Sequence, residues 1–113
     1  MRDTATRTAA LNDAFRNNPL DRSLGKLYMT AGVNAHGPEF TARAIAAVIA
    51  FNAFTNDNDP HREHDFRSLE LDGEKLFWKI DYYSTDDPDL GSEDPSDPTK
   101  TERALTITLA DEY

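Results

Sequence analysis

The sequence has no cysteine, which removes disulfides, thiolate nucleophiles and every cysteine-based zinc or iron–sulfur site. Long hydrophobic runs are missing too, since no stretch reaches the roughly 18 apolar residues that a bilayer-spanning helix needs. The opening MRDTATRTAALNDAFRNN carries basic residues but no apolar run of signal-peptide length. These absences point to a cytoplasmic chain without a membrane partner. Basic residues are scarce in the second half. Residues 1–54 hold six Arg/Lys against four Asp/Glu, whereas residues 55–113 hold six against seventeen, within a total charge of −9. Direct nucleic-acid binding is not expected of such a surface, because phosphate contacts need clustered Lys and Arg. A basic protein partner or a cation fits better, and solubility alone is the plain alternative.

Familiar catalytic signatures are absent as well. There is no G-x-S-x-G elbow and no phosphate-cradling glycine loop. A nuclease core of the acid…(D/E)-x-K kind fails, because Gly73 and Phe77 stand two positions before Lys75 and Lys79. The expectation leans away from an enzyme, and no cofactor is implied.

What remains is one domain over residues 1–113, with 38% apolar residues gathered in clumps. A chain of this length buries roughly two-thirds of the surface that it exposes when unfolded, enough for one modest core. The first helix is predicted over Thr4–Asn17, capped by Asp3 or Thr4 and stopped by Asn17-Asn18-Pro19. Its stripe of Ala10, Leu11, Ala14 and Phe15 is thin, which makes it peripheral. Leu27, Met29 and Ala31 alternate with Tyr28 and Thr30, as in a short strand ended by Gly32. A second helix is predicted over Pro38–Phe54, with proline in its first turn and Glu39 at its positive end. Phe40, Ala44, Val48 and Phe51 line one face of it, broadened by Ile45 and Ile49.

The second half reads as sheet. Asp72-Gly73 marks a two-residue hairpin that pairs Leu69 with Leu76 and Glu70 with Lys75. In Lys75–Tyr83, Leu76, Trp78, Ile80 and Tyr82 share a face, and Phe77, Lys79, Asp81 and Tyr83 share the other. Leu105, Ile107 and Leu109 alternate with Thr106 and Thr108 in a last strand. The fold class is therefore α+β: a four-stranded, mainly antiparallel sheet with the central helix on one face and a peripheral N-terminal helix, in the order α-β-α-β-β-β.

Three stretches can carry function. The loop Thr55–Asp65 gathers Asp57, Asp59, His61, His64 and Asp65, side-chain types that hold zinc or harder cations. It fails the defined motifs. Counting from Asp57, an EF-hand needs Gly and Glu where Arg62 and Ser68 stand. The two histidines are three apart instead of the four of H-E-x-x-H. A hydrogen-bonded loop in which Asp and Asn satisfy backbone donors accounts for the same residues. Phe77 and Tyr83 are expected to form a partly exposed aromatic patch on the outward side of their strand, a feature of protein interfaces, with core packing as the commoner reading of this aromatic stretch. The loop Ser84–Thr99 holds Asp86, Asp87, Asp89, Glu93, Asp94 and Asp97 and no basic residue. Carboxylates on a rigid surface can imitate DNA phosphates and occupy a basic channel, while a solvated loop is the commoner meaning of such a run.

Several of these segments together resemble a family. They are Asn56-Asp57-Asn58-Asp59-Pro60-His61 with Glu63-His64-Asp65-Phe66, Phe77-Trp78-Lys79-Ile80-Asp81-Tyr82-Tyr83, and Gly91-Ser92-Glu93-Asp94-Pro95. With Thr30-Ala31-Gly32-Val33 and Leu105-Thr106-Ile107, they resemble a domain-of-unknown-function family, DUF3768, of small bacterial proteins chiefly from alphaproteobacteria. The resemblance implies a stand-alone domain and brings no activity, substrate or catalytic residue. It also implies glycine at the positions of Arg62 and Arg67, so a tightly turned metal or phosphate loop is less expected in this chain.

Two functions stay open at this point. One is a non-catalytic binding protein whose acidic half, with Phe77, Asp81 and Tyr83 beside it, engages a basic protein. Its sharpest form is an inhibitor of a nucleic-acid-binding defence protein, of anti-restriction or anti-CRISPR type. The alternative is a metal-dependent site or enzyme on the Asp57–Asp65 loop.

Overall fold

The computed structural model describes residues 3–113. Helix α1 spans Thr4–Asn17, with the Asp3 carboxylate accepting from the Thr6 amide at 2.8 Å. Strand β1 is Lys26–Met29, followed by helices α2 (Ala31–Ala35) and α3 (Pro38–Ala50). Strands β2 (Phe66–Leu71), β3 (Glu74–Ser84) and β4 (Thr101–Leu109) complete the chain, with a 3₁₀ turn at Ala110–Glu112. The sheet runs β1-β4-β3-β2, antiparallel except that β1 lies parallel to β4. The expected α+β class and mainly antiparallel sheet are therefore present.

The hairpin is as expected. Leu69 pairs with Leu76 and Glu70 with Lys75, and Asp72 and Gly73 both take positive φ, 55° and 81°. Two positive φ values in succession give the turn twist that matches the strands on either side. The Arg43 guanidinium of α3 pairs bidentately with the Asp72 carboxylate across this turn. Leu76, Trp78 and Ile80 are buried, as alternation along β3 requires. They meet Phe40, Ala44 and Val48 of α3, Leu105 and Ile107 of β4, and Phe15 and Val33. Each fully buried side chain of this kind contributes about 1.5–3 kcal/mol.

Three details differ from expectation. Met29 ends β1, and Thr30, expected as a strand residue, caps α2 instead. Its hydroxyl accepts from the Val33 amide, and Val33 is delivered to the core. Helix α3 stops at Ala50, because Phe51 is already extended. Phe51 and Phe54 then fold back edge-on to Trp78, at 5.7 and 6.0 Å between ring centroids. The third correction concerns α1, which is not peripheral: it buries Thr8, Ala9, Asn12, Phe15 and Arg16. The Arg16 guanidinium donates to the carbonyls of Val48 and Phe51 and lies over the rings of Phe54 and Trp78. It thereby adds a donor at the carbonyl end of α3, where the Val48 carbonyl also accepts from the Phe51 amide at 3.3 Å. Gly25 makes this close approach possible. A Cβ there would stand 2.6 Å from the Phe15 ring and 2.7 Å from the Arg103 carbonyl.

The main hydrophobic cluster lies on the helix-covered side of the sheet. The other side carries Lys26 and Tyr28 of β1, Glu102, Ala104, Thr106 and Thr108 of β4, Phe77 to Tyr83 at alternate positions of β3, and Phe66 of β2. The C-terminal turn crosses it, with Tyr113 against Phe66 and Phe77. An antiparallel sheet tolerates a solvated face because its strands alternate apolar and polar side chains.

Candidate functional site

The loop between β3 and β4 is held to the sheet at both ends. The Ser84 amide donates to the Leu90 carbonyl at 2.9 Å and the Ser92 amide to the Tyr82 carbonyl at 3.0 Å. Within it the acidic residues build their own turns. The Ser84 hydroxyl accepts from the amides of Asp86 and Asp87, and the Asp87 carboxylate accepts from the Asp89 amide. Asp94 accepts from the Ser96 amide and hydroxyl, and Asp97 from the Thr99 hydroxyl and amide at 2.6 and 2.9 Å. The Thr99 donors hold the Asp97 carboxyl below its ordinary value, since they bind the charged form. Thr101 donates to the Asp94 carbonyl at 2.9 Å, and Arg103 to the Pro95 carbonyl.

Asp86, Asp89 and Glu93 spend no side-chain oxygen on another described residue, and all three are exposed. With Asp87 and Lys100 at the rim, Asp86 and Glu93 border a shallow depression of about 290 Å³. The structure thus presents the acidic residues from a pinned loop, not a tail.

The aromatic patch expected from Phe77 and Tyr83 divides in two. They stand six positions apart along the strand, roughly 20 Å. Phe77 belongs with Phe66 and Tyr113, at 5.4 and 5.1 Å between ring centroids, and Lys75 lies over its ring. Tyr83 sits at the acidic end, where it lines a separate cleft with Tyr28, Pro88, Lys26, Glu102, Ala104 and Thr106. Asp81, between the two, is paired with Lys79 at 3.3 Å. Sequence reasoning passed over Tyr28, Pro88 and Glu102; the alternation along β1 was the signal that could have found Tyr28.

The Asp57–Asp65 loop is also ordered by its own polar groups. Asn58 bridges Thr55 and Ala53, and Arg67 donates to the Asn58 carbonyl. The His64 ring stacks on Phe54 at 4.0 Å. Its Nδ1 faces both oxygens of Asp13 at 3.0 and 3.1 Å, and its Nε2 lies 3.4 Å from Asp59. Asp57 and His61 are exposed and turned to solvent. Among the described residues no three His, Asp or Glu converge so as to hold a metal ion.

Asp65 joins a different group. The Tyr82 hydroxyl donates to it at 3.1 Å and accepts from the Asn12 amide at 2.8 Å. Asn12 also donates to the Glu63 carbonyl at 2.8 Å and accepts from Arg103 Nε at 2.7 Å. Burial raises the carboxyls of Asp65 and Glu63 above their ordinary values, and it raises the Tyr82 phenol as well. The polar atoms of Asn12 and the Tyr82 oxygen are all engaged by protein groups. This network ties both loops to α1 and the sheet.

No helix among the described residues is long and apolar enough to cross a membrane. Neither the curated proteins nor the solved structures yield a match to this chain. One family model does match, described as a protein of unknown function (DUF3768), over residues 29–112. That stretch takes in the Thr55–Asp65 loop, the hairpin, the acidic loop and the C-terminal turn, and the chain belongs to the DUF3768 family.

Proposed function

We propose that this protein is a non-catalytic binding module whose loop 84–99 engages a basic surface of a protein partner. The observation that supports this is the loop's construction. Its serine and threonine hydroxyls and its own Asp side chains fix the backbone, while Asp86, Asp89 and Glu93 stand free in solvent. Carboxylates carried on a fixed frame need little ordering on binding, which is the main cost that a flexible acidic tail meets. In its sharpest form the partner is a nucleic-acid-binding protein, with the carboxylates in the place of phosphates.

The test measures association with an oligo-lysine peptide as the model basic partner. Replacing Asp86, Asp87, Asp89 and Glu93 with Asn or Gln removes four charges at nearly constant side-chain size. Association should slow sharply in this variant, with folding stability little changed, because exposed charges act mainly on the encounter rate. Parental binding should also weaken steeply with salt, since charges farther apart than about 8 Å are screened at physiological ionic strength. If the variant binds as fast and as tightly as the parent, the loop is not the contact. For the phosphate-mimic form, duplex DNA should displace the protein from a captured partner.

A further inference from the structure

The cleft beside the acidic loop has a chemistry of its own. Its floor is Ala104 and Thr106 of β4, and its walls are Tyr28 of β1, Tyr83 of β3 and Pro88 of the loop. Tyr28 and Tyr83 are 50% and 39% exposed in a fold that covers Trp78 and Phe15 completely. Two tyrosines left in water on strands flanking the same neighbour are the residue type enriched at interface cores. The cleft encloses about 270 Å³, just below the roughly 300 Å³ at which drug-sized ligand sites begin. That size suits one long side chain.

The electrostatics select the kind of side chain. Glu102 stands at the rim, joined to Lys26 by a 3.9 Å contact in which both partners are well exposed. Such a pair contributes little and yields readily to a better partner. The neighbouring Arg103 cannot serve, because its guanidinium is engaged by Asn12 and Pro95 on the opposite face. Beyond Pro88 begin the carboxylates of the acidic loop. A cation entering here finds aromatic faces, one carboxylate within the cleft and more along its edge.

We propose that the cleft receives an arginine side chain from the basic partner, stacked on Tyr28 or Tyr83 and paired with Glu102. Flanking basic residues of the same partner then lie along loop 84–99. Arginine is favoured over lysine because a planar guanidinium stacks on an aromatic ring and binds a carboxylate through two parallel hydrogen bonds. An ammonium does neither as well and loses more hydration. This assignment rests on the acidic-loop reading and adds to it a specific anchor and a preference between two cations of equal charge.

The experiment compares two synthetic peptides of equal length and charge, one with arginine and one with lysine as its only cation. Each is titrated into ¹⁵N-labelled protein, with affinities from calorimetry and contacts from amide shifts. The arginine peptide should bind about five-fold more tightly. It should also shift the amides of Tyr28, Tyr83, Glu102 and Thr106 as well as those of the loop. Tyr28→Ala and Tyr83→Ala should abolish the preference while leaving the loop shifts, and Glu102→Gln provides the same test with no loss of apolar contact. Equal affinities with shifts confined to residues 84–99 would overturn the cleft and leave the acidic-loop reading standing. If neither peptide binds, both readings fall.

Discussion

Replacing Asn12 with alanine should cost more than almost any other single substitution on α1. The side chain is wholly buried, and it links α1 to the 55–65 loop, to β3 and to β4 at once. The amide donates to the Glu63 carbonyl and the Tyr82 hydroxyl, and the oxygen accepts from Arg103. Two neutral hydrogen bonds contribute about 1 kcal/mol each, and the bond from the buried guanidinium about 1.5–3. Truncation also leaves Arg103 Nε without its acceptor in a site that is only 3% exposed. The expected loss is about 3–5 kcal/mol, a large part of the 5–15 kcal/mol typical of a domain. At about 4 °C per kcal/mol for a chain of this length, the midpoint should fall by roughly 12–20 °C. Urea unfolding can be followed through the single tryptophan, Trp78, which lies at 0% exposure in the core. Leu20→Ser, at a side chain 76% exposed, is the control and should shift stability by less than about 0.5 kcal/mol. An Asn12→Ala protein within 1 kcal/mol of its parent, on that same ~1 kcal/mol-per-bond scale, would refute the reasoning.

Arg62→Gly should raise stability by about 0.5–1 kcal/mol, because Arg62 holds a φ of 57° that costs a side-chain-bearing residue more than the entropy glycine adds to the unfolded chain; thermal unfolding at matched concentration decides it, and a loss instead of a gain counts against the idea. Asp65→Asn addresses pH. Burial raises the folded carboxyl above 3.8, so the folded state keeps a proton that the unfolded chain has lost, and this group weakens folding as pH climbs through that window. Asparagine does not titrate and still accepts from Tyr82, so the variant's stability relative to the parent should improve from acid to neutral pH; parallel stability curves for the two proteins would argue that Asp65 is not desolvated.

How much of this was legible in the sequence depended on which forces set each feature. The hairpin could be read because turn chemistry and alternation are local: Asp72-Gly73 fixes the register, and the register fixes which side of β3 is buried. Helix α1 was underestimated because its inward face is carried by Thr8, Asn12 and Arg16. A search for apolar spacing passes over such residues, which are tolerated inside only because distant loops supply their partners. The end of α3 was placed too far along for a related reason. Phe51 and Phe54 keep the apolar character of the helix, and what closes it is Arg16, more than thirty residues earlier in the chain. The acidic loop was visible as composition, but its rigidity lies in hydroxyl-to-amide pairings that composition does not show. The cleft needed Tyr28 and Tyr83 on either side of β4, and no local pattern announces that β1 pairs parallel with the last strand.

That parallel pairing bears on how the chain assembles. Strand β4, one of the two interior strands of the sheet, is the last of the four to be synthesised, and both β1 and β3 are hydrogen-bonded to it. The β2–β3 hairpin can close early through its own turn. Strand β1, by contrast, has no neighbour until residues 101–109 arrive, more than seventy positions later. Until then Phe15 and Val33 have only part of their enclosure, and the interior of the sheet offers an unpaired edge. Closing so long a loop is slow, and an open edge next to exposed aromatic residues is where neighbouring chains join one another. The dense negative charge of residues 84–99 emerges just ahead of β4, so nascent chains repel one another during the interval in which their edges are unprotected.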